Sequence, residues 1–269
     1  MPQFKFDDQK IHYEVTGQGP PLILLHNGGG DLTIWRQQIP VFSQHFTVYA
    51  MDFLGCGRSD RPDRLLTLGD TLKQLELLIQ ENDLKEPVIV GNCVGASTAL
   101  EYSRLNPQNI RSLILVNLCG GSSFAPAIKI FKIFPFLLKP ILRALLKFGI
   151  LNPRILWGKA PAEDDPLYQH YLHQIYSHPG FLLQRFNMVM GSFTFDQFGK
   201  PMDLPSKMPP TMLVWGEQNR IMPFRFASSA SKTLLPKIFL PLRGAGHMCF
   251  YEQAESFNQQ VLSFLGKHP

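Results

Sequence analysis

Charge is scarce in this chain: only 17% of its 269 residues are Asp, Glu, Lys or Arg, against about 25% in an ordinary soluble domain. With 45% hydrophobic residues, that excludes intrinsic disorder and coiled-coil architecture. Cysteine is scarce as well. The four present, Cys56, Cys93, Cys119 and Cys249, stand far apart with no metal-like spacing, which excludes a disulfide scaffold and points to a reduced, cytoplasmic setting. The opening residues, MPQFKFDDQK, lack an apolar signal core, so export is not expected. Repeats and low-complexity tracts are missing too.

One absence is local. No Asp or Glu falls between Glu101 and Glu163, while that stretch carries nine basic residues. The rest of the chain holds 17 basic against 21 acidic side chains, so the net +5 belongs to one middle segment. A chain basic throughout would suggest nucleic acid; this pattern suggests a local surface and no nucleic-acid partner. Also missing is an uncharged run of the ~20 residues that a membrane span needs. The most apolar stretch, Ile128 to Leu151, is broken by five Lys or Arg and two prolines. It reads either as lid helix with a solvated basic face or as an interfacial helix that meets anionic lipid or admits a long apolar substrate.

What is present is an alternation. Short, near-continuously apolar runs read as parallel strands buried on both faces: Leu22–His26, Phe46–Met51, Val88–Asn92, Leu113–Asn117, Thr211–Trp215 and Ile238–Pro241. FKF and IHYEV before them read as an antiparallel hairpin. Helical spacing separates the runs, as in Leu68, Leu72, Leu75 and Ile79 and in the segments after Cys93, Phe224 and Phe250. The expectation is an α/β fold with a doubly wound, mostly parallel sheet. From 122 to 210 the strand signal stops and prolines cut the helical pieces. That segment is expected to form a helical cap inserted between sheet strands, with 1–121 and 211–269 making the core domain.

The sharpest local signal is VIVGNCVGASTAL, Val88 to Leu100. A strand runs into Gly91-Asn92-Cys93-Val94-Gly95 and then into a helix rich in small residues, the pattern of a tight strand-to-helix turn that projects its central side chain. There, helix N-terminal N–H groups would stabilise a thiolate. Cys93 is thus a candidate nucleophile, against the plainer reading of a small buried hydrophobe.

Around this turn the chain resembles the α/β-hydrolase fold superfamily. LLHNGGG (Leu24 to Gly30) is similar to the family's oxyanion loop, and MDFLGCGRSDRP (Met51 to Pro62) to its D-x-x-G-x-G-x-S turn. WGEQNRIMP (Trp215 to Pro223) stands where the family carries its acid, and GAGHMCFYE (Gly244 to Glu252) where it carries its histidine. Two positions depart from the pattern: Cys93 replaces the usual serine and Asn219 the usual Asp. The Cys elbow also resembles dienelactone hydrolases and polyhydroxyalkanoate synthases, which keep an acidic third member.

The resemblance implies a triad of Cys93, His247 and Asn219, with His247 as base and then acid, and the amide oxygen of Asn219 orienting its ring. Asn219 as a plain turn residue is the alternative. Glu217 is a less favoured carboxylate, and Asn117 stands where some relatives hold another acid. The implied oxyanion donors are the N–H of Val94 and one near Gly28, with Asn27 adjacent. Asp52 and Ser59 read as loop braces. His170, His173 and His178 read as lid lining, and neither metal nor cofactor is implied.

The function expected is a Cys-dependent hydrolase or acyltransferase acting on a hydrophobic ester or thioester through a thioester acyl-enzyme. The alternatives are a catalytically inactive ligand-binding protein, or a lyase or cyclase without a covalent step. The partners expected are a hydrophobic acyl substrate and, through the basic cap, a membrane surface or an acidic carrier.

Overall fold

A computed structural model of the chain describes residues 2–62, 64, 66–119, 152–177, 204–205 and 208–267. The strands are β1 (Gln3–Phe6), β2 (Gln9–Thr16), β3 (Pro21–Leu25), β4 (Thr47–Met51), β5 (Val88–Asn92), β6 (Ser112–Val116), β7 (Thr211–Gly216) and β8 (Ile238–Leu242). The helices used below are α1 (Ile39–Phe42), α2 (Leu68–Glu81), α3 (Val94–Leu105), α4 (Pro166–Ser177), α5 (Arg225–Leu234), α6 (Cys249–Glu252) and α7 (Ala254–Gly266).

All eight strands join one sheet in the order β1-β2-β4-β3-β5-β6-β7-β8. The opening hairpin is antiparallel and β2 joins β4 antiparallel. From β4 through β8 every pairing is parallel. The strand runs read from the sequence are all present, shifted at their ends by a residue or so.

Alternation within the apolar runs splits the core in two. Ile23, Leu25, Ile89, Leu113, Leu115, Leu213 and Trp215 face one layer, which holds α2, α3 and α5 side chains. Leu22, Leu24, Val88, Val90, Ile114, Val116, Met212 and Val214 face the other, with Trp35, Phe42, Phe250, Phe257 and Phe264. Each such side chain withdrawn from water stabilises the fold by about 1.5–3 kcal/mol. β8 departs from the both-faces-buried expectation. Its Ile238, Phe239 and Leu240 are only half-buried and Pro241 is exposed, because β8 is the edge of the sheet, where a proline's missing donor is tolerated.

The strand order reverses between β3 and β5: the chain leaves β3 to build β4 on one side, then returns to build β5 on the other. In open α/β sheets the crevice beyond such a switch point receives the ligand. The loops that follow β3 and β5 open there, and they carry Asn27-Gly28 and Cys93.

Between β6 and β7 the described residues hold a short 3-10 turn at Pro153–Leu156 and helix α4, and no strand. The apolar basic stretch Ile128–Leu151, His178, and the remaining segments assigned to the cap lie outside the described residues. Among the described residues no helix is long and apolar enough to cross a membrane.

Candidate active site

Two glycines build the turn that presents Cys93. A Cβ on Gly91 would stand 2.4 Å from the backbone of Gly95, and a Cβ on Gly95 would stand 2.3 Å from the Leu25 carbonyl oxygen. Strand, turn and helix therefore pack backbone to backbone. The helix start is fixed to the neighbouring loop by Gly95 N–H donating to the His26 carbonyl at 3.2 Å. Cys93 itself has φ 54° and ψ −110°, a left-handed conformation that costs a non-glycine residue about 1–3 kcal/mol and recurs at functional turns. Its N–H donates to the Val116 carbonyl at 2.9 Å, and its own carbonyl receives Ser97 N–H.

The sulfur is nearly closed off, with Cys93 only 3% exposed. It nevertheless meets three donors. The Cys119 thiol foremost, then the His247 ring and the Val94 N–H, hold the Cys93 thiol well below its ordinary range, against the upward push of burial. Burial, and the hydrogen bond to Cys93, push the Cys119 thiol the other way, so Cys119 keeps its proton and donates it. The Ser97 hydroxyl sits between the two residues, 3.3 Å from the Cys93 carbonyl and 3.0 Å from the Cys119 carbonyl. Cys249 is different: burial raises its thiol to about 12. All four cysteines are free thiols.

His247 and Asn219, from the loops after β8 and β7, are both buried. The Asn219 side-chain nitrogen Nδ2 lies 3.1 Å from His247 Nδ1. Its oxygen points away from the ring and accepts the N–H groups of Ile221 at 3.0 Å and Met222 at 2.8 Å. This corrects the expectation that an amide oxygen orients the histidine. Turning the amide over would aim two buried backbone donors at another donor, at about 1–3 kcal/mol for each. An Asp has two acceptors and could serve backbone and ring together; an Asn has one, and the backbone takes it. Nδ2 therefore donates and Nδ1 accepts, which in a neutral ring leaves the proton on Nε2.

Asn117 is no substitute acid. Its Nδ2 donates to the His247 carbonyl at 2.9 Å and its Oδ1 accepts Gly216 N–H at 3.1 Å, which fastens the histidine loop to β7. Glu217 stands 3.9 Å from Arg243, which is almost fully exposed, and Asn219 rather than Glu217 meets the ring. Glu252 does more: one carboxylate oxygen accepts Gly246 N–H at 2.7 Å and the other Gly158 N–H at 2.8 Å. Burial raises its pKa, with those backbone bonds pulling it back.

Of the oxyanion candidates, Val94 N–H is at the sulfur. Asn27 and Gly28 are buried in the turn after β3. The Asn27 side chain accepts Gly29 N–H at 3.2 Å and pairs with the Tyr171 hydroxyl at 3.3 Å, so α4 reaches down onto this loop. Asp52 braces its turn, accepting Leu32 N–H at 2.7 Å and Arg58 N–H at 2.9 Å. Ser59 donates to the Asp52 carbonyl at 2.7 Å. His170 joins Asp31 at 2.6 Å. Among the described residues no group of three or more His, Cys, Asp or Glu could hold a metal.

Sequence reasoning missed Cys119, Tyr171 and Glu252. Cys119 was within reach: it follows β6, and two apolar runs that pair side by side place the residues just beyond their ends together. Tyr171 and Glu252 act on loops distant in sequence, and no local pattern marks them.

A family model described as alpha/beta hydrolase fold matches residues 20–143. The chain is 26% identical, over 95% of its length and 66% of the relative's, to the dihydrolipoyllysine-residue acetyltransferase component of an acetoin cleaving system of Pseudomonas putida. It is 25% identical, over 96% of its length and 88% of the relative's, to a 2-hydroxy-6-oxo-6-(2'-aminophenyl)hexa-2,4-dienoic acid hydrolase of Metapseudomonas resinovorans. Among solved structures, an alpha/beta hydrolase fold protein from Burkholderia ambifaria superposes with a TM-score of 0.79 at 21% identity, covering 97% of each chain.

Proposed function

Because the chain belongs to the α/β-hydrolase fold superfamily, we propose that it is an acyl-processing enzyme whose nucleophile is the Cys93 sulfur. The reading is carried by one observation: a thiol held well below its ordinary range at a strained strand-to-helix turn, hydrogen-bonded to His247. A thiolate is the reactive form of cysteine, and donors at a helix start favour it. In the first step the sulfur bonds to the acyl carbonyl carbon and the bond to the leaving group breaks. In the second an acceptor attacks the thioester and releases the sulfur. The Val94 N–H and the turn at Asn27-Gly28 stand ready to stabilise the oxyanion of each tetrahedral intermediate, where one donor is worth about 10²–10³ in rate.

His247 and Asn219 complete the set as partner and positioning residue. Helix α4, resting on the Asn27 loop through Tyr171, belongs in this reading to a cap over a hydrophobic acyl pocket. The relatives support it, one a hydrolase and one an acetyltransferase component by name.

The test is incubation with p-nitrophenyl esters of graded chain length, followed by intact mass and peptide mapping. The result expected is an acyl adduct on the Cys93 peptide, lost in Cys93→Ala, with a preferred chain length that reports the pocket. Turnover without any adduct would favour a non-covalent lyase or cyclase; neither adduct nor turnover on any activated ester would favour a binding protein.

A further inference from the structure

We infer that the site is built for acyl exchange between thiols, with an acyl thioester as donor and a thiolate as acceptor, and not for cleaving alkyl esters or amides. The inference rests on the covalent reading above and adds the substrate class to it. It follows from what Asn219 offers the histidine. With its oxygen held by Ile221 N–H and Met222 N–H, the amide presents only N–H to Nδ1 at 3.1 Å. A neutral ring so placed carries its proton on Nε2. A doubly protonated ring would aim its Nδ1–H at the amide NH₂, donor against donor. The ring is therefore a hydrogen-bond donor toward Cys93. It has no vacant Nε2 lone pair with which to take a proton, and surrendering the Nε2 proton would leave an imidazolate.

A serine could not work in such a site, but this cysteine can. Its thiolate is held by hydrogen bonds, foremost from the Cys119 thiol and then from the ring and Val94 N–H, none of which needs a charge on the ring, and it needs no base. The consequence falls on the other two groups in the reaction. A departing alkoxide or amide anion must be protonated as it leaves, and among the described residues the His247 ring, neutral and donating from Nε2, is not poised to do so. A departing thiolate leaves as the anion.

The first step balances without a proton: Cys93–S⁻ adds to R–CO–SR′, the acyl C–S bond to R′ breaks, and R′–S⁻ departs with the electron pair. The second reverses it with R″–S⁻, giving R–CO–SR″ and regenerating Cys93–S⁻. Water as acceptor would need a base, so the acyl-enzyme is expected to outlast exposure to water and yield to a thiol. Aryl esters also expel a stable anion, which is why p-nitrophenyl esters suit the test of the covalent step.

The experiment presents one acyl chain as its N-acetylcysteamine thioester and as its methyl ester to the full chain, with and without free N-acetylcysteamine or a second small thiol. A general acid or base is worth about 10²–10⁴ in rate. The thioester is thus expected to acylate Cys93 at least about 10²-fold faster than the methyl ester, and added thiol to discharge the acyl-enzyme faster than water. Asn219→Asp, which adds the missing acceptor, is expected to narrow the gap by raising methyl-ester turnover about tenfold or more. Nitrogen NMR of the wild-type histidine, which is independent of turnover and of any variant, should find the proton on Nε2.

Comparable rates for thioester and methyl ester, with the adduct still forming on Cys93, would overturn the inference and leave the covalent reading standing. A proton found on Nδ1 would overturn it equally. No adduct from any donor would overturn both.

Discussion

Cys93 is only 3% exposed, and its thiol is nevertheless drawn below its ordinary range because donors replace the water it has lost. The foremost of them is another cysteine. Cys119→Ala removes that donor and is expected to raise the Cys93 thiol, so that alkylation by iodoacetamide at neutral pH slows about tenfold, while Cys119→Ser keeps a donor and loses less. The pH dependence of alkylation, read at the Cys93 peptide, checks it. In the unaltered protein Cys93 should label first and Cys249, raised to about 12, among the last. Gly95 is as demanding in another way. Gly95→Ala would drive a Cβ to 2.3 Å from the Leu25 carbonyl, and overpacking of this kind costs about 1–3 kcal/mol, visible as a lower Tm.

At the residue scale much was legible: the turn around Cys93, the buried His247, and the bracing by Asp52 and Ser59. The direction in which Asn219 points was not legible. It depends on two backbone N–H groups, of Ile221 and Met222, whose aim is set by the fold of the loop rather than by residue type.

Among the elements, α2 shows how completely local pattern can specify a helix. Thr67 accepts Asp70 N–H while Asp70 accepts Thr67 N–H, a reciprocal capping box, and Leu75 and Leu78 are fully buried on the sheet side. Thr67→Ala is expected to cost about 1 kcal/mol, measured by urea denaturation. The parallel strands were legible for the same reason: continuous apolar runs state burial directly. β8 reads like the others, yet lies half-buried at an edge. Position in the sheet follows from strand order, a long-range property that composition does not carry.

The link between α4 and the loop after β3 belongs at this scale too. Burial alone would raise the Asp31 carboxyl, but the hydrogen bond and charge of His170, with help from Thr33, hold it below its ordinary value of 3.8. A carboxylate depressed in the folded state stabilises the fold at pH values above its unfolded pKa. That stabilisation is lost as pH falls below about 4 and through the depressed value. Asp31→Asn is therefore expected to flatten the acid limb of the stability curve, followed as Tm against pH, while changing the neutral Tm in the opposite sense to any gain at low pH.

For the whole molecule, the switch point between β3 and β5 gathers the loops, and the segment between β6 and β7 is drawn in as well. Glu252, just past the histidine, holds Gly246 N–H with one oxygen and Gly158 N–H with the other, while Tyr251 reaches Asp165 at 3.1 Å. A single carboxylate thus staples two stretches of backbone 88 positions apart, one of them leading into His247. The sheet can assemble from its own apolar runs and Asn117 ties the histidine loop to it, but the second tie, through Glu252, is complete only when that distant excursion has come home. On refolding from denaturant, far-UV ellipticity should return first, and selective alkylation of Cys93 should lag behind it: the protein is expected to be folded before it is armed.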